Sequence, residues 1–122
     1  KSLQINPTER KACFGMGFCY NSKEKYSDAI SFLKTAIEKE PSYTAAYQEL
    51  AYSYYRTEKY SDAETCFNKA IELNPKIEVS RYYACLMFIS QKNKTKARKM
   101  LDELKSLSSK YAATLQPKVD AL

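Results

Sequence analysis

The sequence predicts an all-α fold built from repeated helical hairpins, and three observations support this. Prolines recur at Pro7, Pro41 and Pro75, each 34 residues from the next. A short phrase recurs with the same period, because residues 25–29 and 59–63 both read KYSDA. The 122-residue chain holds only 2 Gly and 4 Pro and is rich in Ala, Leu, Lys and Glu, a composition that favours helices over strands.

Each period is predicted to contain two helices, and the second unit shows the pattern most clearly. The face of its first helix, from residue 44 to about residue 57, is predicted from the spacing of Tyr47, Leu50, Ala51 and Tyr54. A turn is expected at residues 58–59. Ser61 is predicted to cap the second helix, with Glu64 three residues later as in a capping box. The inner face of that helix is predicted at Ala63, Phe67, Ala70 and Ile71.

Prolines set the boundaries of the units, because proline cannot continue a helical hydrogen-bond ladder. Residues 1–7 are predicted to be the tail of a preceding hairpin, followed by repeats at 8–41, 42–75 and 76–109. Residues 110–122 are predicted to form a C-terminal capping helix, in which Tyr111, Leu115 and Val119 cover the last apolar face and Pro117 makes a kink or a break. Since an array would not begin with half a hairpin, we expect the chain to be the C-terminal portion of a longer repeat protein, or a processed fragment.

The pattern resembles the tetratricopeptide repeat, whose 34-residue signature is W-x2-L-G-x2-Y…A-x3-F…P. The matching residues of the first unit are Cys13, Met16, Gly17, Tyr20, Ala29, Leu33, Ala36 and Pro41. Those of the second are Tyr47, Leu50, Ala51, Tyr54, Ala63, Phe67, Ala70 and Pro75. Those of the third are Arg81, Ala84, Cys85, Phe88, Ala97, Leu101 and Leu104, with Ser109 where proline would stand. The resemblance implies a right-handed α-solenoid, in which Gly17 and Ala29 allow two helices to approach closely.

The resemblance also implies a function, because the first helices of such repeats line a concave groove that binds a peptide or a partner helix. The groove residues it predicts are Lys11, Phe14, Phe18, Asn21, Gln48, Tyr52, Tyr55, Arg56, Tyr82, Leu86 and Ile89. The aromatic members are the expected anchors, because aromatic side chains concentrate binding energy. These rings have an alternative use, which is packing against an upstream repeat, the cap or the chain's own tail. A homo-oligomer is a further alternative, since so apolar a groove is unfavourable in water.

Chaperone-binding members of the family hold a terminal carboxylate with Lys, Asn and Arg side chains at five groove positions. The resemblance maps these positions onto Phe14, Phe18, Glu49, Val79 and Tyr83, and none of the five matches. The sequence therefore argues against capture of an acidic chaperone tail. It favours an apolar extended or helical peptide, as in tetratricopeptide secretion chaperones and assembly factors.

Basic residues are concentrated in one part of the chain. Of the formal net charge of +6, all falls between residues 76 and 110, because the remainder is balanced. The densest cluster, termed here the basic patch, comprises Lys92, Lys94, Lys96, Arg98 and Lys99. It offers a rival binding surface, through residues 92–99, for an acidic partner or nucleic acid. Nucleic acid is the less expected of the two, because the groove lacks the interleaved cations and aromatic rings that stack bases.

Catalysis and cofactors are not expected. The chain has no His, its four cysteines form no CxxC pair, and Gly15 and Gly17 lie inside a predicted helix rather than in a phosphate-binding loop. No metal site or membrane span is predicted either. The cysteines favour a reducing compartment such as the cytoplasm, whereas a periplasmic or secreted location stays open if an upstream signal was removed.

Overall fold

The computed structural model describes residues 7–122, with side chains from residue 11 onward. This described part contains no strand and consists of seven α-helices: α1 (Pro7–Ser22), α2 (Tyr26–Lys39), α3 (Thr44–Arg56), α4 (Tyr60–Leu73), α5 (Val79–Ser90), α6 (Lys94–Ser106) and α7 (Tyr111–Asp120). The predicted all-α helical-repeat fold is thereby confirmed. The predicted tail of a preceding hairpin lies outside the described residues, apart from Pro7, at which α1 begins.

The helix ends repeat with the period of the sequence. The helices α1, α3 and α5 end at Ser22, Arg56 and Ser90, which are 34 residues apart. Their partners α2, α4 and α6 each begin after a three-residue turn, again with a spacing of 34 residues. Connections this short join antiparallel helices, so the recurring unit is a helical hairpin.

Each hairpin turn contains one residue in the left-handed backbone region: Glu24 (φ 63°), Glu58 (φ 62°) and Lys92 (φ 57°). The backbone amide of the following residue donates a hydrogen bond to a carbonyl oxygen of the preceding helix. These bonds run from Lys25 to Tyr20 O, from Lys59 to Tyr54 O and from Asn93 to Phe88 O, all at 2.8 Å. Ser108 (φ 56°) makes the same turn after α6. This is the Schellman arrangement, which glycine favours because it has no Cβ. Here four residues with side chains adopt it instead.

The prediction that Ser61 caps α4 is wrong. The helix begins one residue earlier, at Tyr60, and the Ala63 amide donates to Lys59 O at 2.9 Å. Ser61 therefore lies inside the first turn, because the left-handed residue Glu58 reverses the chain sooner than the capping pattern implies. At the start of α6 the residue just before the helix does cap it, since the Lys96 amide donates to Asn93 Oδ1 at 3.2 Å.

The chain divides into two compact units, and the boundary, between Lys69 and Ala70, falls within α4. In the first unit, residues 1–69, α1 and α3 both pack on α2, and α1 also contacts α3. The buried side chains include Ala29, Leu33, Ala36, Leu50, Ala51, Tyr54, Ala63 and Phe67. The predicted close approach at Gly17 is confirmed, because a Cβ at this position would lie 2.5 Å from Leu33 Cγ.

In the second unit, residues 70–122, α5, α6 and α7 pack on one another. Its core includes Ala84, Cys85, Met87, Phe88, Leu101, Leu104, Leu115 and Val119. Arg81 stands where the repeat pattern expects a large apolar residue. It is buried, and its guanidinium group has hydrogen-bond partners. Its Nε donates to Glu103 Oε1 at 2.7 Å, and Nη1 donates to Ile77 O at 2.8 Å. The helix α7 runs through Pro117 to Asp120 and buries Leu115 and Val119, while Tyr111 is half-buried.

All four cysteines are free thiols. Cys66 in the first unit and Cys85 in the second are buried, and burial raises the pKa of each thiol to about 11. The carboxylate of Asp62 adds to the rise in the pKa of Cys66. Cys13 is half-buried and Cys19 is exposed. Two of the four thus behave as small apolar core residues.

Candidate functional site

Eight of the eleven predicted groove residues lie in the first unit, and an aromatic surface is formed among them. On α1, Phe14 and Phe18 share one side of the helix, with ring centroids 6.4 Å apart. Phe18 is 50% exposed, although its side chain is large and apolar. The ring of Tyr43, just before α3, lies 5.1 Å from that of Phe14. Burying such rings against a partner would be favourable.

On α3, the predicted residues Gln48, Tyr52 and Tyr55 are half-buried. The ring of Tyr52 lies 6.2 Å from that of Tyr26 and 6.4 Å from that of Tyr55, with the rings edge-on. We term Phe14, Phe18, Tyr43, Tyr52 and Tyr55 the aromatic face. Tyr43 and Tyr26 were not predicted, because both lie outside the first-helix stripe from which the groove was inferred.

Arg56 is the exposed cation at the end of α3. Its Nε donates to the hydroxyl of Tyr26 at 3.2 Å, and its guanidinium carbon lies 6.0 Å from the centroid of that ring. The hydrogen bond with Tyr26 is the main reason why the pKa of Arg56 is raised. The predicted groove residue Arg56 is therefore held over Tyr26.

Asn21 was predicted to face a partner, and the structure differs. Its side chain is only 5% exposed. The Nδ2 atom donates to Glu49 Oε1 and to Glu49 O, both at 3.1 Å, and the Ser53 hydroxyl donates to Asn21 Oδ1 at 2.5 Å. Asn21 thus joins α1 to α3 and has no donor left for a partner, because both hydrogens of its amide are used within the unit.

Glu49 is the carboxylate of this surface, and it was not among the predicted binding residues. It is half-buried, and burial raises its pKa, while the hydrogen bond from Asn21 acts in the opposite direction. No cation among the described side chains forms an ion pair with it. The signal in the sequence is a glutamate one helical turn before Tyr52, on the same helix as the predicted groove residues Gln48, Tyr52 and Tyr55.

Lys11 lies at the other end of the same surface. It is exposed and, with Glu40, Ser42, Tyr43, Thr44 and Ala45, lines an open pocket of about 310 Å³. The pocket adjoins the aromatic face through Tyr43. Lys11 therefore borders an open pocket, and its role in a binding groove stays a prediction.

The remaining predicted groove residues, Tyr82, Leu86 and Ile89, lie half-buried on α5 in the second unit. The ring of Tyr82 stacks on that of Tyr111 from α7, with centroids 4.7 Å apart and an angle of 28°. Tyr83 lies edge-on to Tyr82 at 5.3 Å. Tyr82 thus already has a partner inside its own unit, which corresponds to the internal packing that the sequence left open.

Three of the five cations of the basic patch have a partner within their own unit. Lys94 Nζ donates to Leu122 O at 3.4 Å, and Arg98 Nη2 lies 3.6 Å from Asp120 Oδ1. Lys96 Nζ lies 5.6 Å from the centroid of the Phe88 ring. Lys92 and Lys99 are exposed. An open pocket of about 680 Å³ follows α6 and is lined by Lys94, Thr95, Arg98, Lys99, Asp102, Glu103 and Ser106, so it carries both signs of charge.

The described residues contain no cluster of three or more His, Cys, Asp or Glu side chains that would hold a metal ion. Within the same range, no helix is both long and apolar enough to cross a membrane.

Solved structures with the same fold are similar over almost the whole chain. The first TPR of Spaghetti (RPAP3), bound to the HSP90 peptide SRMEEVD, has a TM-score of 0.87 at 18% identity, covering 98% of this chain and 97% of that one. The CopN–Scc3 complex gives 0.83 at 18% identity, covering 96% and 71%. The TPR2B domain of yeast Sti1 in complex with a pHsp70 peptide gives 0.81 at 18% identity, covering 93% and 92%. At such identities the similarity establishes the fold.

No curated protein matches the sequence. A sequence profile of the tetratricopeptide repeat matches residues 21–87, which is more than half of the chain. The protein therefore belongs to the tetratricopeptide repeat family, whose members are helical protein-binding scaffolds.

Proposed function

We propose that the protein is a non-catalytic interaction scaffold and that the aromatic face of its first unit binds an apolar or aromatic segment of a partner protein. The observation that carries this proposal is the exposure of large apolar side chains at one place, with Phe18 50% exposed beside the half-buried Phe14. Single exposed apolar residues are common, but two groups of rings in one unit, one around Phe14 and one around Tyr52, are more typical of a binding surface.

The similar structures support a peptide or protein ligand, because two of them contain chaperone peptides and one is a complex of two proteins. The chemistry of this surface argues against an acidic chaperone tail. Phe14 and Phe18 are apolar at positions where chaperone-binding relatives carry a cation or an amide, and Glu49 is itself a carboxylate. A carboxylate ligand placed there would be repelled by the negative charge of Glu49.

The test compares three proteins as baits in a pull-down from nuclease-treated lysate: the wild type, the double variant Phe18→Ala/Tyr52→Ala and the double variant Lys92→Glu/Lys99→Glu. We expect the aromatic variant to lose the specific partners and the charge variant to retain them. Circular dichroism and thermal melting first establish that both variants stay folded.

Other outcomes distinguish the rival functions. Loss of partners only in the charge variant, with retention falling steeply as salt increases, would assign binding to the basic patch. Sedimentation of the wild type alone as a dimer, and of the aromatic variant as a monomer, would show that the surface serves self-association. Identical partners for all three baits would refute binding through the aromatic face.

A further inference from the structure

The orientation of Glu49 is determined by its neighbours. The two Nδ2 hydrogens of Asn21 point to Glu49 Oε1 and Glu49 O, each at 3.1 Å, while Asn21 Oδ1 accepts from Ser53. The reverse orientation of the amide would place its oxygen against the carboxylate and leave Ser53 without this acceptor, so it is disfavoured. One oxygen of Glu49 is thereby fixed on the unit's own framework.

The second carboxylate oxygen, Oε2, has no hydrogen-bond donor among the described residues, although the group is half-buried. No side-chain oxygen or nitrogen in the described part is both fully buried and unsatisfied, so this oxygen is still accessible from outside. A half-buried carboxylate without a positive partner is unfavourable, because burial removes water that would stabilise its charge.

The described cations of the same surface do not neutralise the negative charge of Glu49. Arg56 is held over Tyr26, and the groups that shift the pKa of Glu49 include no positive charge. The surface therefore combines apolar rings with one uncompensated negative charge. Tyr52, one turn further along α3, adds an aromatic ring whose face also favours a cation.

We propose that Glu49 determines the specificity of the aromatic face by forming a salt bridge with an Arg or Lys side chain of the bound segment, whose neighbouring residues are apolar. This inference rests on the proposed function and narrows it to one class of partner. The partner's cation would occupy Oε2, and Asn21 would continue to hold Oε1. Oxygen atoms of a carboxylate that are already oriented bind a cation without the entropy cost of ordering a long acidic side chain.

The test begins with selection of 12-residue peptides from a random phage-displayed library on the immobilised wild-type chain. We expect the selected peptides to share one Arg or Lys among apolar or aromatic residues. The strongest is then synthesised in two forms, as selected and with its cation replaced by Gln, and the Kd of each is measured by fluorescence anisotropy. This comparison needs no variant of the protein, so it is independent of any effect on folding.

Variants of the protein, measured with the same two peptides, complete a double-mutant cycle. Glu49→Gln keeps an acceptor oxygen for Asn21 but removes the charge. It should raise the Kd of the cationic peptide about tenfold or more. It should have little effect on the peptide with Gln, because the interacting charge is already absent. The matched control is Glu38→Gln, which removes an exposed carboxylate from α2 and should leave both Kd values unchanged.

Two results would overturn the inference while leaving the proposed function intact. The first is that the selected peptides need Phe18 and Tyr52 for binding but share no cation. The second is that a cationic peptide binds Glu49→Gln and wild type with the same affinity. Failure to select any peptide would overturn both. A wild-type dimer that Glu49→Gln converts to a monomer would place a second copy of the chain on this surface and would also contradict the inference.

Discussion

The two glycines of α1 lie in different surroundings. A Cβ on Gly17 would fall 2.5 Å from Leu33 Cγ and 2.7 Å from Leu33 Cδ2, and Leu33 is fully buried and has no room to move. A Cβ on Gly15 would meet no atom within 4 Å. The same change, Gly to Ala, therefore has opposite consequences at positions two residues apart.

We expect Gly17→Ala to destabilise the protein by about 1–3 kcal/mol, because overpacking outweighs the gain in helix propensity. Gly15→Ala should stabilise it by about 0.5–1 kcal/mol through propensity alone. Urea unfolding followed by circular dichroism measures both. An unchanged free energy of unfolding for Gly17→Ala would contradict the close approach of α1 and α2.

Glu49 makes stability depend on pH in a predictable direction. Its pKa is raised in the folded protein, so the folded state holds this proton more tightly than the unfolded chain does. Ionisation of Glu49 therefore opposes folding. This unfavourable contribution is fully present above the raised pKa and disappears below the ordinary pKa of glutamate.

Glu49→Gln should accordingly raise the melting temperature relative to wild type at neutral pH, and the difference should shrink towards about pH 4 as the wild-type carboxyl is protonated. Melting curves of the two proteins across this range provide the test. The other carboxylates contribute equally to the pH dependence of both proteins, so their contributions cancel in the comparison. A lower melting temperature for Glu49→Gln than for wild type at neutral pH would show instead that the folded state stabilises the carboxylate, as a nearby positive charge would.

At this scale the sequence predicted which face of each helix a residue occupies better than what that residue touches. The resemblance placed Phe14 and Phe18 on one side of the first helix, and their ring centroids lie 6.4 Å apart. Asn21 has the same spacing, but it is turned inward by Ser53, which is 32 residues away. Tyr82 likewise meets Tyr111, whose position depends on how α7 packs. Contacts between separate helices are not encoded in the helical period.

Among the elements, the hairpin turns have the most unusual backbone. Left-handed residues recur at Glu24, Glu58 and Lys92, and none of them is glycine. A residue with a Cβ is strained in this region by roughly 1 kcal/mol. These turns therefore form in spite of a local preference, because the packing of the two helices on either side requires them.

Lys92→Gly should stabilise the protein by about 0.5–1 kcal/mol by removing this strain. The matched control is Lys99→Gly, which removes the same side chain from an exposed position inside α6 and should destabilise by about 1 kcal/mol. Thermal unfolding distinguishes the two. If both changes destabilise to the same extent, the left-handed conformation at Lys92 is not the source of strain.

Helix positions were largely predictable, because period, proline and apolar spacing all indicate the same boundaries. The first helix of the second repeat, residues 42–75, was expected at about residues 44–57 and is observed at Thr44–Arg56. The exceptions concern local chemistry. Ser61 does not cap α4, and Pro117 does not end α7, which continues to Asp120. In both cases tertiary packing prevails over a short-range signal.

At the scale of the whole molecule, each of the two units carries one buried thiol, Cys66 in the first and Cys85 in the second. Burial keeps both groups protonated near neutral pH, with pKa values of about 11. Since the thiolate is the reactive form, modification requires both exposure and deprotonation. The exposed Cys19 meets the first of these conditions without any opening of the fold.

We expect Cys66 and Cys85 to react with iodoacetamide at least tenfold more slowly than Cys19 in the native protein. Leu33→Val should accelerate the reaction of Cys66, and Leu115→Val that of Cys85, because each weakens the core of its own unit by about 1 kcal/mol. Mass spectrometry of timed samples gives the three rates. Equal rates at all three cysteines would contradict the burial described above.

The stack of Tyr82 on Tyr111 affects how the protein can be shortened for experiments. Tyr111 begins α7, and the same helix buries Leu115 and Val119 in the second unit. A fragment ending before residue 111 would uncover the tyrosines of α5 together with an apolar strip, and such a fragment would bind many unrelated proteins. Truncated versions used in interaction screens should therefore retain the chain through Asp120. Non-specific binding by newly exposed apolar residues is then not mistaken for specific recognition.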